Sequence, residues 1–346
     1  MTMTNNEQIL IRDIPIRENP SELHGESLYK RNNPYKGDQA SSALKKNLLI
    51  ANPIVAIDGA TLINMELPVK EYLISPWLSE RGIVMVYAPR GIGKTFFALE
   101  VAIAVATGTN YLKWETKKKG NVLYLDGEMG GRELQPRMKK LLRGRVLEEG
   151  SINFISPDFQ VGPCPDLSVP DWHHYIAPYA EQASLIIVDN ISTICRTGNE
   201  NDADSWQIVQ EWAIQQKSAG KTVLFIHHAG KGGQQRGTSK REDVMDTVIA
   251  LKRPDDYTAK QGARFVIEFQ KARGFSGEEA ESFIVQLEEN NDEFNWSIET
   301  LEDSAFKKIL NLAKIGMSQK EIAEELSVHK STVSKNFNRA KNDGLL

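Results

Sequence analysis

Gly82-Ile83-Val84-Met85-Val86-Tyr87-Ala88-Pro89-Arg90-Gly91-Ile92-Gly93-Lys94-Thr95 is the stretch on which the fold turns. Its first half is apolar at every position from Ile83 to Tyr87 and too short for a helix, so it reads as a strand buried on both faces. A glycine-bearing turn follows, and a helical pattern opens at Lys94. Glycines at Gly91 and Gly93 let backbone N–H groups turn inward around phosphate oxygens, and the helix N-terminus adds partial positive charge. In such a loop Lys94 reaches the β and γ phosphates, and Thr95 offers its hydroxyl to a magnesium ion. Ala88, Pro89, Arg90, Gly91, Ile92, Gly93, Lys94, Thr95 and the adjoining Phe96 are therefore the expected binding residues for ATP with Mg2+. Ala88 stands where the strict pattern has glycine, but Gly93-Lys94-Thr95 is intact.

Outward from this loop the same texture repeats. Asn121-Val122-Leu123-Tyr124-Leu125, Ala183-Ser184-Leu185-Ile186-Ile187-Val188 and Thr222-Val223-Leu224-Phe225-Ile226 are further buried-strand runs. Helical patterns at about 94–106, 131–142, 171–182 and 204–218 alternate with them, which predicts a parallel sheet covered by helices. Between 244 and 298 alternating strands at 247–251, 263–270, 282–287 and 293–298 suggest antiparallel strands extending the sheet. Residues 1–46 are polar, without an apolar period, and read as a flexible arm; 47–300 form the main domain, and 301–346 a small helical module.

The 346 residues are 40% hydrophobic and 25% charged, ordinary globular composition. With 42 basic and 46 acidic residues the net charge is -4, which excludes a chain-wide basic field for duplex DNA. Any nucleic-acid contact must be local. Cys164 and Cys195 are too few for a disulfide framework or a metal knuckle, and the first twenty residues lack the order of a signal peptide. With no run long enough to span a membrane, a soluble cytoplasmic protein without a membrane partner is expected.

Two strand-end carboxylates complete the chemistry. Asp189 ends Leu185-Ile186-Ile187-Val188 and is the expected magnesium ligand, the alternative being a turn cap. Glu128 follows the strand expected beside the phosphate-loop strand and is the candidate base for the attacking water, with Asp126 a weaker one. His228, at another strand end, is a candidate sensor of the γ-phosphate. The alternatives are a structural histidine or a metal ligand, though no cysteine or acid cluster stands nearby to complete a metal site.

The order of phosphate loop, Glu128, Asp189 and His227-His228 resembles the RecA-like cores of hexameric replicative helicases, in particular the plasmid RepA type. Leu125-Asp126-Gly127-Glu128-Met129, followed by Leu134 and Arg137-Met138, is also similar to the DnaB-type pattern. Phe225-Ile226-His227-His228-Ala229-Gly230-Lys231, running into Arg236-Gly237-Thr238, resembles the RepA-type run of His-His, Lys and Arg-Gly-Ser. Phe269-Gln270-Lys271-Ala272-Arg273-Gly274 is similar to the Lys-x-Arg-x-Gly texture of ring helicases. The likeness covers roughly 72–287. It implies that Lys271 and Arg273 reach a neighbour's ATP and that the assembly is a homo-hexamer. Arg236 and Arg273 are the candidate arginine fingers, each of which could instead be a surface ion pair. In the glycine-rich loop at 229–241, Lys231, Lys240 and Arg241 are expected to follow the phosphates of single-stranded DNA in the ring channel. A solvated loop is the plainer alternative.

In the last segment Ser318 suits an N-cap with Glu321 closing a capping box, and Ile322, Leu326, Val328 and Val333 form a shared core. Met317 to Lys335 resembles a bacterial helix-turn-helix, with Ser327 where the turn usually has glycine. Ser331, Thr332, Lys335 and Asn336 are expected near base edges, and Lys330 and Arg339 on the DNA backbone. A helical pair serving protein contacts is the alternative. The expected class is thus α/β, a RecA-like P-loop NTPase with a mainly parallel sheet extended by antiparallel strands, plus a small all-α helix-turn-helix module. The leading expectation is an ATP-dependent ring helicase of a plasmid, phage or mobile element. An ATP-gated DNA-binding regulator or loader without unwinding activity stands second, and a recombinase-like filament protein third.

Overall fold

The computed structural model describes residues 56–196, 203–230 and 242–346. The chain divides into a unit ending at Val69 and a second, Lys70–Leu346. The first holds a short helix, α1 (Gly59–Ile63), started by Asp58, whose carboxylate accepts the N–H groups of Ala60 and Thr61 at 3.0 Å. The arm expected at 1–46 lies outside the described residues.

The second unit carries β1 (Tyr72–Ser75), β2 (Leu78–Ser79), β3 (Ile83–Ala88), α2 (Lys94–Thr107), β4 (Glu115–Thr116), β5 (Val122–Asp126), α3 (Gly131–Leu142), β6 (Ile152–Ile155), α4 (Pro170–Gln182), β7 (Leu185–Asp189), α5 (Ile191–Ile194), α6 (Ala203–Ser218), β8 (Thr222–His228), β9 (Thr247–Lys252), β10 (Arg264–Ala272), β11 (Phe283–Asn290), β12 (Glu293–Thr300), α7 (Leu301–Lys314), α8 (Gln319–Glu325) and α9 (Lys330–Asn342). Among the described residues the main sheet runs β12-β11-β10-β9-β3-β8-β7-β5-β6. From β9 to β6 every pairing is parallel, and β10, β11 and β12 extend the sheet antiparallel. This is the α/β class, a mainly parallel sheet extended by antiparallel strands, that the strand runs predict. Continuous burial of β3, β5, β7 and β8 follows from helices on both faces, and the two faces hold separate apolar clusters. No helix among the described residues is long and apolar enough to cross a membrane.

One expectation is corrected. The strand before Glu128, β5, does not lie beside the phosphate-loop strand β3; β8 and β7 stand between them. All four strands are apolar on both faces, so any interior place in the sheet suits each of them equally. Crossover connections long enough to carry a helix then allow spatial order to depart from chain order.

Helix α2 is buried along nearly its whole length, including Glu100 at 0% exposure. That carboxylate is held by Arg143 at 2.6 Å and Arg145 at 2.7 Å. Breaking a buried pair strands the remaining charge, so Glu100→Ala is expected to cost about 3–5 kcal/mol in urea unfolding. Lys119→Ala, which removes an exposed pair with Glu148, should change stability by about 0–1 kcal/mol. Equal losses in the two variants would contradict the buried assignment.

Helix α7 leaves β12 through Thr300, whose hydroxyl accepts the Asp303 N–H at 3.0 Å. It is tied back to the sheet by Lys307 to Glu299 at 2.9 Å and Lys308 to Asp256 at 3.5 Å. Both acids also hold the buried Arg264, at 3.6 and 3.0 Å. Ser318 and Glu321 form the expected capping box of α8. Ile309, Ile322, Ala323 and Val333 make the core of the three helices, with Leu326 and Val328 packed against it. Ser327 takes the left-handed backbone, φ 51°, that the turn demands in place of glycine.

Candidate nucleotide-binding and hydrolysis site

The phosphate loop leaves β3 at Ala88 and enters α2 at Lys94. Gly91 and Gly93 have φ 71° and 115°, and a Cβ on Gly93 would fall 2.7 Å from that of Ala263. Glycine is required there both for backbone conformation and for close packing. Lys94 is 7% exposed, and its ammonium donates to the carbonyls of Ala88 at 3.2 Å and Pro89 at 2.9 Å. Burial depresses its pKa, while the carboxylates of Asp189 and Glu128 act in the opposite sense. A buried cation lying along the loop, facing two carboxylates, is suited to phosphate charge.

Asp189 ends β7 at 2% exposure and accepts the Tyr124 hydroxyl at 2.7 Å and a hydrogen bond from Thr95. Two hard oxygen donors, one anionic, meet at the first turn of α2, which fits magnesium. Thr95 and Asp189 would hold it, and the ion would supply charge neutralisation at the β and γ phosphates. Burial, above all, pushes the Asp189 carboxyl from 3.8 up to about 6, with Asp126 and Glu128 adding to the rise and the Tyr124 and Thr95 hydrogen bonds opposing it. Because the folded pKa lies above the unfolded one, the folded state binds more protons between these values. The associated stability is present at low pH and is lost as pH rises through about 6. With chelator present, wild type should lose about 2–3 kcal/mol relative to Asp189→Asn between pH 4 and 7. Parallel melting curves for the two proteins across that range would contradict this.

Glu128 lies two residues beyond β5, in a loop that brings it back over β7. Asp126 shapes that loop: its carboxylate accepts the N–H groups of Glu128 at 3.1 Å, Met129 at 3.0 Å and Gly130 at 2.9 Å, and the Ser156 hydroxyl at 2.8 Å. At 1% exposure with these four donors, Asp126 is a structural brace and is corrected as a candidate base. Glu128 keeps a half-exposed side chain; Asn190 donates to its Oε2, and His228 Nε2 lies 3.8 Å from the same oxygen. His228 ends β8, the strand between β3 and β7, which places it on the side facing the phosphate loop. Sequence reasoning missed Asn190 and Tyr124; only the adjacency of Asn190 to Asp189 pointed to it. Phe96 faces Arg137, 4.9 Å from its ring, and Phe294, at 5.3 Å.

The remaining candidates lie elsewhere. Ala272 pairs with Thr247, and Thr247 with Val84, so Lys271 and Arg273 flank a point roughly 13 Å along the sheet from the Ala88 end of β3. Lys271 donates to the carbonyls of Glu242 at 2.5 Å and Asp243 at 3.5 Å, and Arg273 lies 3.9 Å from Asp246. Lys231, Arg236, Lys240 and Arg241 fall outside the described residues. On α9, Lys330 and Ser331 are exposed and Thr332 is half-buried. Lys335 pairs with Glu302 at 2.7 Å and Arg339 with Asp303 at 3.2 Å. Asn336 is corrected as a base-edge candidate: at 4% exposure it faces inward with Val333 and Ala340, and its amide donates to the Thr332 carbonyl. Helical spacing from Val333 puts it on the core face.

Among solved structures the chain is similar to a KaiC-like protein from the hyperthermophilic archaeon Pyrococcus horikoshii OT3, at 17% identity over 65% of this chain and 93% of that one, with a TM-score of 0.47. It is also similar to the flagellar accessory protein FlaH from Methanocaldococcus jannaschii, at 12% identity over 63% and 90% of the two chains, with a TM-score of 0.45. A family model described as an AAA domain, AAA_25, matches residues 54–234. That match spans more than half of the chain and contains the phosphate loop, Glu128, Asp189 and His228, and the chain belongs to this family of P-loop ATPases.

Proposed function

We propose that this chain is a ring-forming, ATP-driven DNA translocase, a replicative helicase of a plasmid, phage or mobile element, acting as a homo-hexamer on single-stranded DNA. The observation that carries the reading is the position of Lys271 and Arg273, far along the sheet from the chain's own phosphate loop. A basic pair placed there is away from the chain's own phosphates and would meet a nucleotide only on a neighbouring copy, after giving up its contacts with Glu242, Asp243 and Asp246; a finger supplied across a boundary requires an assembly. Lys94→Ala and Arg273→Ala subunits, each inactive alone, should regain ATPase activity on mixing, because mixed boundaries pair an intact loop with an intact finger. Absence of recovery, together with full activity at concentrations where the protein is monomeric, rules out the shared site. DNA-stimulated ATPase and strand displacement on forked DNA then test the motor.

The C-terminal helices serve in this reading as a helix-turn-helix that brings the ring to its duplex site. Lys335 and Arg339 are held in exposed, solvent-screened ion pairs with Glu302 and Asp303, which phosphates can displace. A second reading, an ATP-gated DNA-binding regulator or loader, is favoured by the contacts that run from Gly93 through Ala263 and Arg264 to Lys307 and Lys308 on α7. Nucleotide-dependent duplex binding without any strand displacement would select it.

A further inference from the structure

We propose that Asn190 is a positioning residue that joins Glu128 to His228, so that the group polarising the water and the group facing the γ-phosphate are set together. The inference rests on the assignment of Glu128 as the catalytic base. Asn190 is fully buried at 0% exposure, directly after Asp189, and its Nδ2 contacts Glu128 Oε2 and lies 3.3 Å from His228 Nε2. The amide orientation is fixed by chemistry, since an ionised carboxylate accepts only and the opposite flip would set two oxygens against each other. One N–H therefore goes to Glu128 and the second to His228, whose Nε2 is then an acceptor. That nitrogen cannot at the same time donate to a phosphate oxygen. With Nε2 accepting, the ring proton sits on Nδ1, so His228 donates to the γ-phosphate only by turning Nδ1–H toward it; that rotation releases Asn190, and the amide is left to hold Glu128 alone. Engagement of the phosphate and fixation of the base thus become linked through one side chain.

The test uses the full chain and a double-mutant cycle. Asn190 stands at the N-cap position of α5 through its backbone, whose N–H donates to the Thr193 hydroxyl and whose carbonyl accepts the Thr193 and Ile194 N–H groups, so the primary variant is Asn190→Ser, which leaves those backbone contacts in place but lacks the reach of the amide; Asn190→Gln restores the amide as the rescue. Asn190→Ser should lower kcat about 10- to 100-fold while affinity for a fluorescent ATP analogue stays within about twofold. Asn190→Gln should recover part of the loss. In a Glu128→Gln background, followed by single-turnover hydrolysis, Asn190→Ser should add less than about a twofold further loss. An unchanged kcat in folded Asn190→Ser, or the same fold-loss in both backgrounds, overturns the inference and leaves the Glu128 assignment standing. Parental turnover in Glu128→Gln alone removes that assignment, and the inference falls with it.

Discussion

Lys94→Ala is expected to leave no measurable phosphate release above background, a loss of at least about 10³-fold in kcat. The ammonium is nearly buried and lies against the carbonyls of Ala88 and Pro89, and the charges of Asp189 and Glu128 favour its protonated form. In so dry a site a positive charge facing the phosphates is worth far more than the same charge in water. Alanine removes the buried cation of the loop and leaves only the exposed Arg90, while Gly91 and Gly93 are unchanged. Nucleotide affinity should fall less than turnover does, because the backbone cradle survives. Phosphate release from the purified variant at the parental pace would dismiss the assignment of this site.

Glu128→Gln should give the opposite pattern in binding. The amide is isosteric and still offers an oxygen to Asn190, so ATP affinity is retained, while the loss of the carboxylate lowers kcat about 10²- to 10⁴-fold. Equilibrium binding and single-turnover hydrolysis on the same preparation check both halves. Weakened binding with normal turnover would place Glu128 outside the chemistry. Asp126, with four hydrogen-bond donors on its carboxylate, predicts a different response: Asp126→Asn should lower the melting temperature as well as activity, because three of those donors are N–H groups of the Glu128 loop.

Chain order and apolar period alone determined much of this protein. Ile83 to Thr95 announced strand, phosphate loop and helix because glycine, lysine and threonine at those spacings serve a single geometry. The strand runs around Leu123, Ile186 and Phe225 predicted the buried sheet because burial on two faces demands unbroken apolar runs, and the alternating pattern between 244 and 298 predicted its antiparallel extension. Ser318 and Glu321 marked the start of α8 because a capping box is local. Tertiary structure alone decided that β8 and β7 separate β3 from β5, since strand pairing between equally apolar strands leaves no trace in either one. It also turned Asp126 into a brace, drew Asn190 between Glu128 and His228, and put Asn336 in the core. Those roles depend on which neighbour a polar atom meets across the fold, and residue type and spacing do not encode that.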